Sequence, residues 1–94
     1  MNHLLFNLPM LITKQNKRFV AYTPVLDIST SGKTAGEARR RFVELVDIFL
    51  EEIISAGTVN DVLAELGWKR EQKKWLPPQV VSSKSIGLRL PVLA

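Results

Sequence analysis

Cysteine is absent from the 94 residues, and histidine occurs once, as His3. These two gaps exclude disulfides, thiolate metal sites and His-rich metal clusters. No apolar run approaches the ~18 residues that cross a bilayer. The most apolar stretch, residues 1–13, is interrupted by Asn7 and Pro9 and lacks the basic segment that opens a secretory leader. It reads as a strand in a cytoplasmic protein, with no membrane partner. No serine stands in a G-x-S-x-G context. What the length supports is one core, burying roughly 60 to 65% of the surface that the unfolded chain exposes.

Groups able to do acid–base or metal chemistry are correspondingly few. His3 has no carboxylate near it in sequence, so a solvated or strand-end role outweighs that of a general base. Asp27 is the sole acidic residue among the first 33, and one carboxylate cannot hold the two metals that a nuclease uses. Glu44, Asp47, Glu51 and Glu52 lie where a helix is expected, share their face with arginines and have no Glu-x-x-His partner. A solvated face is the better reading. The expectation is therefore a chain with no catalytic residues, no metal and no cofactor, not an enzyme; a residual nuclease built on Asp27 is the enzymatic rival.

The stretch Asp27-Ile28-Ser29-Thr30-Ser31-Gly32-Lys33-Thr34 approaches the phosphate-cradling pattern G-x-x-x-x-G-K-[ST] but puts Asp27 where the first glycine belongs. A carboxylate has the wrong charge for a loop whose N–H groups must converge on an anion. Thr34-Ala35-Gly36-Glu37 instead matches the S/T-x-x-E capping box, in which Thr34 accepts from the first turn and Glu37 reaches back to the Thr34 N–H. On this reading Ser31-Gly32 forms the turn, "SGKT" launches a helix, and Lys33 is a surface residue.

Ahead of that helix the pattern is that of strands. Leu4, Phe6, Leu8, Met10 and Ile12 alternate, predicting a strand up to Thr13 with Pro9 at an edge or bulge. Lys14 to Lys17 then has the composition of a hairpin loop, "RFVAYT" (18–23) is rich in β-branched and aromatic residues, and "VLDIST" (25–30) alternates again. The helix is expected from Ala35 to Ala56, ended by Gly57. Its apolar positions, Ala38, Phe42, Leu45, Val46, Phe49, Leu50, Ile53 and Ile54, make a stripe wider than the ~100° that one sheet face requires. The shoulder of that stripe, Val43, Leu50 and Ile54, needs a cover, either the next helix or a second copy of the chain.

A second short helix, capped by Thr58 with Asp61, carries Val59, Val62, Leu63 and Leu66 on one face and stops at Gly67. Residues 69–85 lose periodicity and read as an extended connector. Ile86, Leu88, Leu90 and Val92 alternate with Gly87, Arg89 and Pro91, which predicts a C-terminal strand in need of a sheet edge. The fold class expected is α+β: a three-stranded antiparallel meander packed by one long helix, a short second helix and an extended tail strand, divided as 1–68 and a basic tail, 69–94.

Charge follows that division. Residues 1–33 carry four basic and one acidic group, 34–67 three against seven, and 68–94 six against one. The acidic middle suits a basic protein partner, while the tail, with Lys14, Lys17 and Arg18, suits nucleic acid or another anionic surface. Arg39 lies beside Val43 and Val46 on the apolar shoulder, and Trp75 stands between Lys73-Lys74 and Leu76-Pro77-Pro78 as an anchor for its own sheet or for a partner. Arg39, Val43, Trp75, Leu88 and Leu90 are accordingly the candidate partner-binding residues.

Val20, Ala21, Tyr22, Pro24, Leu26, Gly32, Thr34, Glu37 and Ala38, with "LAELGW" at 63–68, carry a resemblance to the HicB-like antitoxin family over residues 5–68. The resemblance implies a cut-down ribonuclease H-like β-β-β-α fold without a working active site. It further implies binding and masking of a small HicA-type ribonuclease toxin, by a homodimer or higher homo-oligomer. Many such proteins add a C-terminal DNA-binding domain. The 26 residues after Trp68, with Pro77-Pro78 in succession, have too little helical periodicity for one.

Overall fold

The computed structural model describes residues 7–91, in the order β1 (Leu11–Gln15), β2 (Arg18–Thr23), β3 (Ile28–Gly32), α1 (Ala35–Ser55), α2 (Val59–Glu65), β4 (Lys69–Glu71) and β5 (Lys74–Leu76). The three first strands form an antiparallel sheet ordered β1-β2-β3, α1 packs over it, and β4 and β5 form a separate hairpin. The α+β architecture, a meander followed by a long and a short helix, is the one expected.

Register fixes which residues face the core. Ile12 pairs with Ala21 and Ala21 with Thr30, so all three point to the side that α1 covers. Ala21 and Thr23 are completely buried there, and with Val25, Leu26, Ala38, Phe42, Val46, Ile53, Leu63 and Trp68 they make the core. The opposite sheet face carries Leu11, Thr13, Val20 and Tyr22.

Several boundaries differ from those read in the sequence. The first strand runs Leu11–Gln15 rather than ending at Thr13; Leu4 and Phe6 lie outside the described residues, while Leu8 and Met10 pack on the core without joining the sheet. Lys14 and Gln15 are paired with Phe19 and Arg18, which leaves Asn16-Lys17 as a two-residue turn in place of a four-residue loop. Asn16 makes this possible by taking φ 57, a left-handed conformation that asparagine tolerates.

The third strand begins at Ile28, not Val25. Val25 and Leu26 sit in the turn after Pro24 and are buried in the core, and the indole N–H of Trp68, beyond the end of α2, donates to the Val25 carbonyl at 2.8 Å. Their apolar character serves a plug in the core and not a sheet face. At its other end β3 continues through Gly32, paired with Phe19, so Ser31-Gly32 is strand and the turn falls at Lys33-Thr34.

Thr34 caps α1 as expected, accepting the Glu37 N–H at 3.0 Å, but the return arm of the box differs: the Glu37 carboxylate accepts from the Lys33 N–H at 3.3 Å. It also pairs with Arg41 at 3.3 Å, and Arg41 donates to the Ser31 carbonyl, tying the first turn of the helix to the end of β3. Both helices terminate alike. Gly57 (φ 70) donates to Ile54 and Thr58 to Ile53; Gly67 (φ 87) donates to Ala64 and Trp68 to Leu63. These are Schellman ends, which satisfy the last carbonyls through a glycine in the left-handed region. Thr58 makes no side-chain cap on α2; its hydroxyl donates back to the Ile53 carbonyl.

The connector is not featureless. Residues 69–76 form the β4–β5 hairpin around Gln72 (φ 49) and Lys73 (φ 67), and Trp75 on β5 packs against the core. Beyond it, residues 77–91 have no helix or strand, so the tail strand expected from Ile86 is unpaired within the described residues.

Candidate functional site

The phosphate-like loop is closed to anions by its own chain. The N–H groups of Lys33, Glu37 and Ala38 donate to the Glu37 carboxylate, the Thr34 hydroxyl and the Thr34 carbonyl respectively. A negative charge already occupies the place where a phosphate would have to sit. Asp27, the residue in place of the first loop glycine, accepts from the Tyr22 hydroxyl at 3.1 Å and holds φ 53 at the end of the β2–β3 turn. Desolvation of the half-buried ring, then the hydrogen bond to Asp27 and its charge, push the Tyr22 hydroxyl above its ordinary range. His3 lies outside the described residues. Among the described residues no three His, Cys, Asp or Glu side chains gather closely enough to hold a metal ion, and no helix is long and apolar enough to cross a membrane.

Surface of a different kind is available on α1. The buried stripe, Ala38, Phe42, Val46 and Ile53, faces the sheet, and α2 packs beside it. The shoulder is left open: Val43 is 52% and Ile54 65% exposed, while Leu50 is half-buried. Arg39, one turn before Val43, is exposed and makes no ion pair among the described residues. Asp47 and Glu51, exposed and one and two turns after Val43, border the same strip. Apolar, cationic and acidic groups thus adjoin along one helix edge. Ile48, on the far flank among charges, is exposed as well and was not distinguished by the periodicity.

The remaining expected residues fall into two groups. Trp75 is half-buried on its own core and lies 6.0 Å beneath the Arg70 guanidinium, so of its two readings the intramolecular one accounts for most of the ring. Leu88 and Leu90 stand in the tail, 83% and 85% exposed. Val80, Val81 and Ile86 are exposed with them. Of these only Ile86 belonged to a legible alternation. Comparison with protein-family models, with curated proteins and with solved structures finds no match to this chain.

Proposed function

We propose that this chain is a non-catalytic, HicB-like antitoxin of the cytoplasm that binds and masks a small, basic HicA-type ribonuclease toxin. The observation that carries the reading is the open shoulder of α1, where Val43 and Ile54 lie exposed beside Asp47 and Glu51. An apolar anchor with an acidic border complements a partner whose own surface is built to hold RNA phosphates. The β-β-β-α order required by the family resemblance supports the same reading. So does the capped glycine junction at Gly32 to Glu37.

A second reading, nucleic-acid binding, is favoured by Lys69, Arg70, Lys73 and Lys74 on and around the β4–β5 hairpin. Trp75, the aromatic group such a surface would use for stacking, is already engaged by the core and by Arg70, which makes this the weaker reading.

Co-expression with a small HicA-type ribonuclease encoded beside this chain's gene tests the proposal. A stable complex is expected, with Val43→Asp and Ile54→Asp each weakening it about 10-fold or more and abolishing growth protection. Both sites are exposed, so the fold survives these changes. Absence of any complex, or a complex indifferent to both substitutions, would overturn it. Affinity for nucleic acid that falls steeply with salt, in the absence of a protein complex, would select the second reading.

A further inference from the structure

The tail has the composition of a strand and, among the described residues, none of its ladder pairing. Ile86, Leu88 and Leu90 alternate with Gly87, Arg89 and Pro91, yet the three apolar side chains are 74%, 83% and 85% exposed. The chain extends 57 Å along its longest axis, with a radius of gyration of 16.4 Å. A compact chain of this length has one of roughly 12 Å. A segment this apolar is held in water at a continuing free-energy cost, which a sheet edge would relieve.

Such an edge exists. β1 is one of the two outer strands, paired on one side only among the described residues, and every one of its five residues is exposed, Leu11 and Ile12 included, whereas β3, the other outer strand, is mostly part-buried. The root of the tail lies next to it: Leu76 to Val80 share a shallow groove with Asn7 and Pro9, the residues that run into β1.

That proximity decides between the chain's own edge and another's. From Val80 beside Pro9, an extended tail running along its own β1 brings Ile86 level with Gln15, the last residue of the strand, and carries Leu88 and Leu90 past the end of the sheet. Folding back would need a reversal within residues 82–85, and the tail from 77 to 91 contains no turn or bend. The apolar positions overshoot the edge in cis. A second copy presents the same edge, and a two-fold arrangement lets both tails engage at once.

We propose that two copies of this chain exchange tails, residues 86–90 of each adding as a fourth strand to the free edge of the other copy's β1. Ile86, Leu88 and Leu90 then lie on the side of Ile12, extending the apolar layer under α1. Gly87 and Arg89 fall on the side of Leu11 and Thr13. Pro91, which has no N–H to offer a ladder, ends the added strand. This inference goes beyond the antitoxin reading and does not rest on it.

The test uses the full chain alone. Sedimentation equilibrium should find a dimer, twice the 10.6 kDa chain mass. The double variant Leu88→Asp/Leu90→Asp should raise the dimer dissociation constant about 100-fold or more. Because the chain has no cysteine, Thr13→Cys and Arg89→Cys proteins can be mixed and treated with a short bis-maleimide. Covalent Thr13→Cys–Arg89→Cys heterodimers are expected, and the doubly substituted chain should link between copies. A native chain that stays monomeric at about 100 μM would overturn the proposal. So would a dimer unaffected by the two aspartates, or linkage confined within single chains, which would return the tail to its own edge.

Discussion

Gly32 lies so close under the first turn of α1 that a Cβ built on it would stand 2.6 Å from the backbone nitrogen of Ala38 and 3.0 Å from the carbonyl carbon of Glu37. The glycine of "SGKT" is therefore there to let a helix cross the end of a strand. Neither a turn nor a phosphate cradle requires it. Because the obstructing atoms are backbone, no side chain can swing aside to make room.

Gly32→Ala should destabilise the protein by about 2 to 3 kcal/mol, through displacement of the capped helix start. Gly36→Ala, four residues on, provides the contrast: a Cβ there meets nothing nearer than the Thr34 hydroxyl at 4.0 Å, and the site is helical. That change should stabilise by about 0.5 to 1 kcal/mol. Thermal melts of the two variants should move in opposite directions, and a common direction would contradict the close approach.

Thr23 is fully buried, and its hydroxyl has no hydrogen-bond partner among the described residues. Thr23→Val keeps the shape and removes the unsatisfied oxygen, so stability should rise by about 1 kcal/mol. Urea unfolding should show a higher midpoint with an unchanged slope.

Tyr22 gives the chain an alkaline limit. Its folded-state pKa lies above its unfolded value, near 10, so its contribution is fully present below that value and is lost as pH rises through the folded one. Deprotonation also removes the donor to Asp27 and sets two negative charges side by side. Stability measured from pH 9 upward should fall more steeply in the native chain than in Tyr22→Phe, and parallel profiles would exclude the coupling.

The parts of the fold legible in the sequence are those where one residue type answers one local requirement. Thr34 and Glu37 gave the start of α1 because a capping box is local, and Gly57 and Gly67 gave the helix ends because a left-handed residue is needed there. Val25 and Leu26 misled because an apolar pair that plugs a core from a turn has the same composition as strand. The β4–β5 hairpin escaped notice because Gln72 and Lys73 hold positive φ without being glycine or asparagine, and because its strands are charged on both faces. On the candidate site, the shoulder of α1 was visible as excess width of the apolar stripe. The engagement of Trp75 by Arg70 was not, since it depends on the hairpin pairing Arg70 with Trp75.

The bond from the Trp68 indole to the Val25 carbonyl spans 43 residues, whereas the sheet ladders and the packing of α1 on β3 join segments that follow one another along the chain. A contact of such long loop closure is costly in chain entropy until its two ends are already organised. The meander and α1 can thus assemble from neighbouring pieces, whereas the Trp68 clasp needs both of its ends in place. It ties the segment after α2 to the turn before β3.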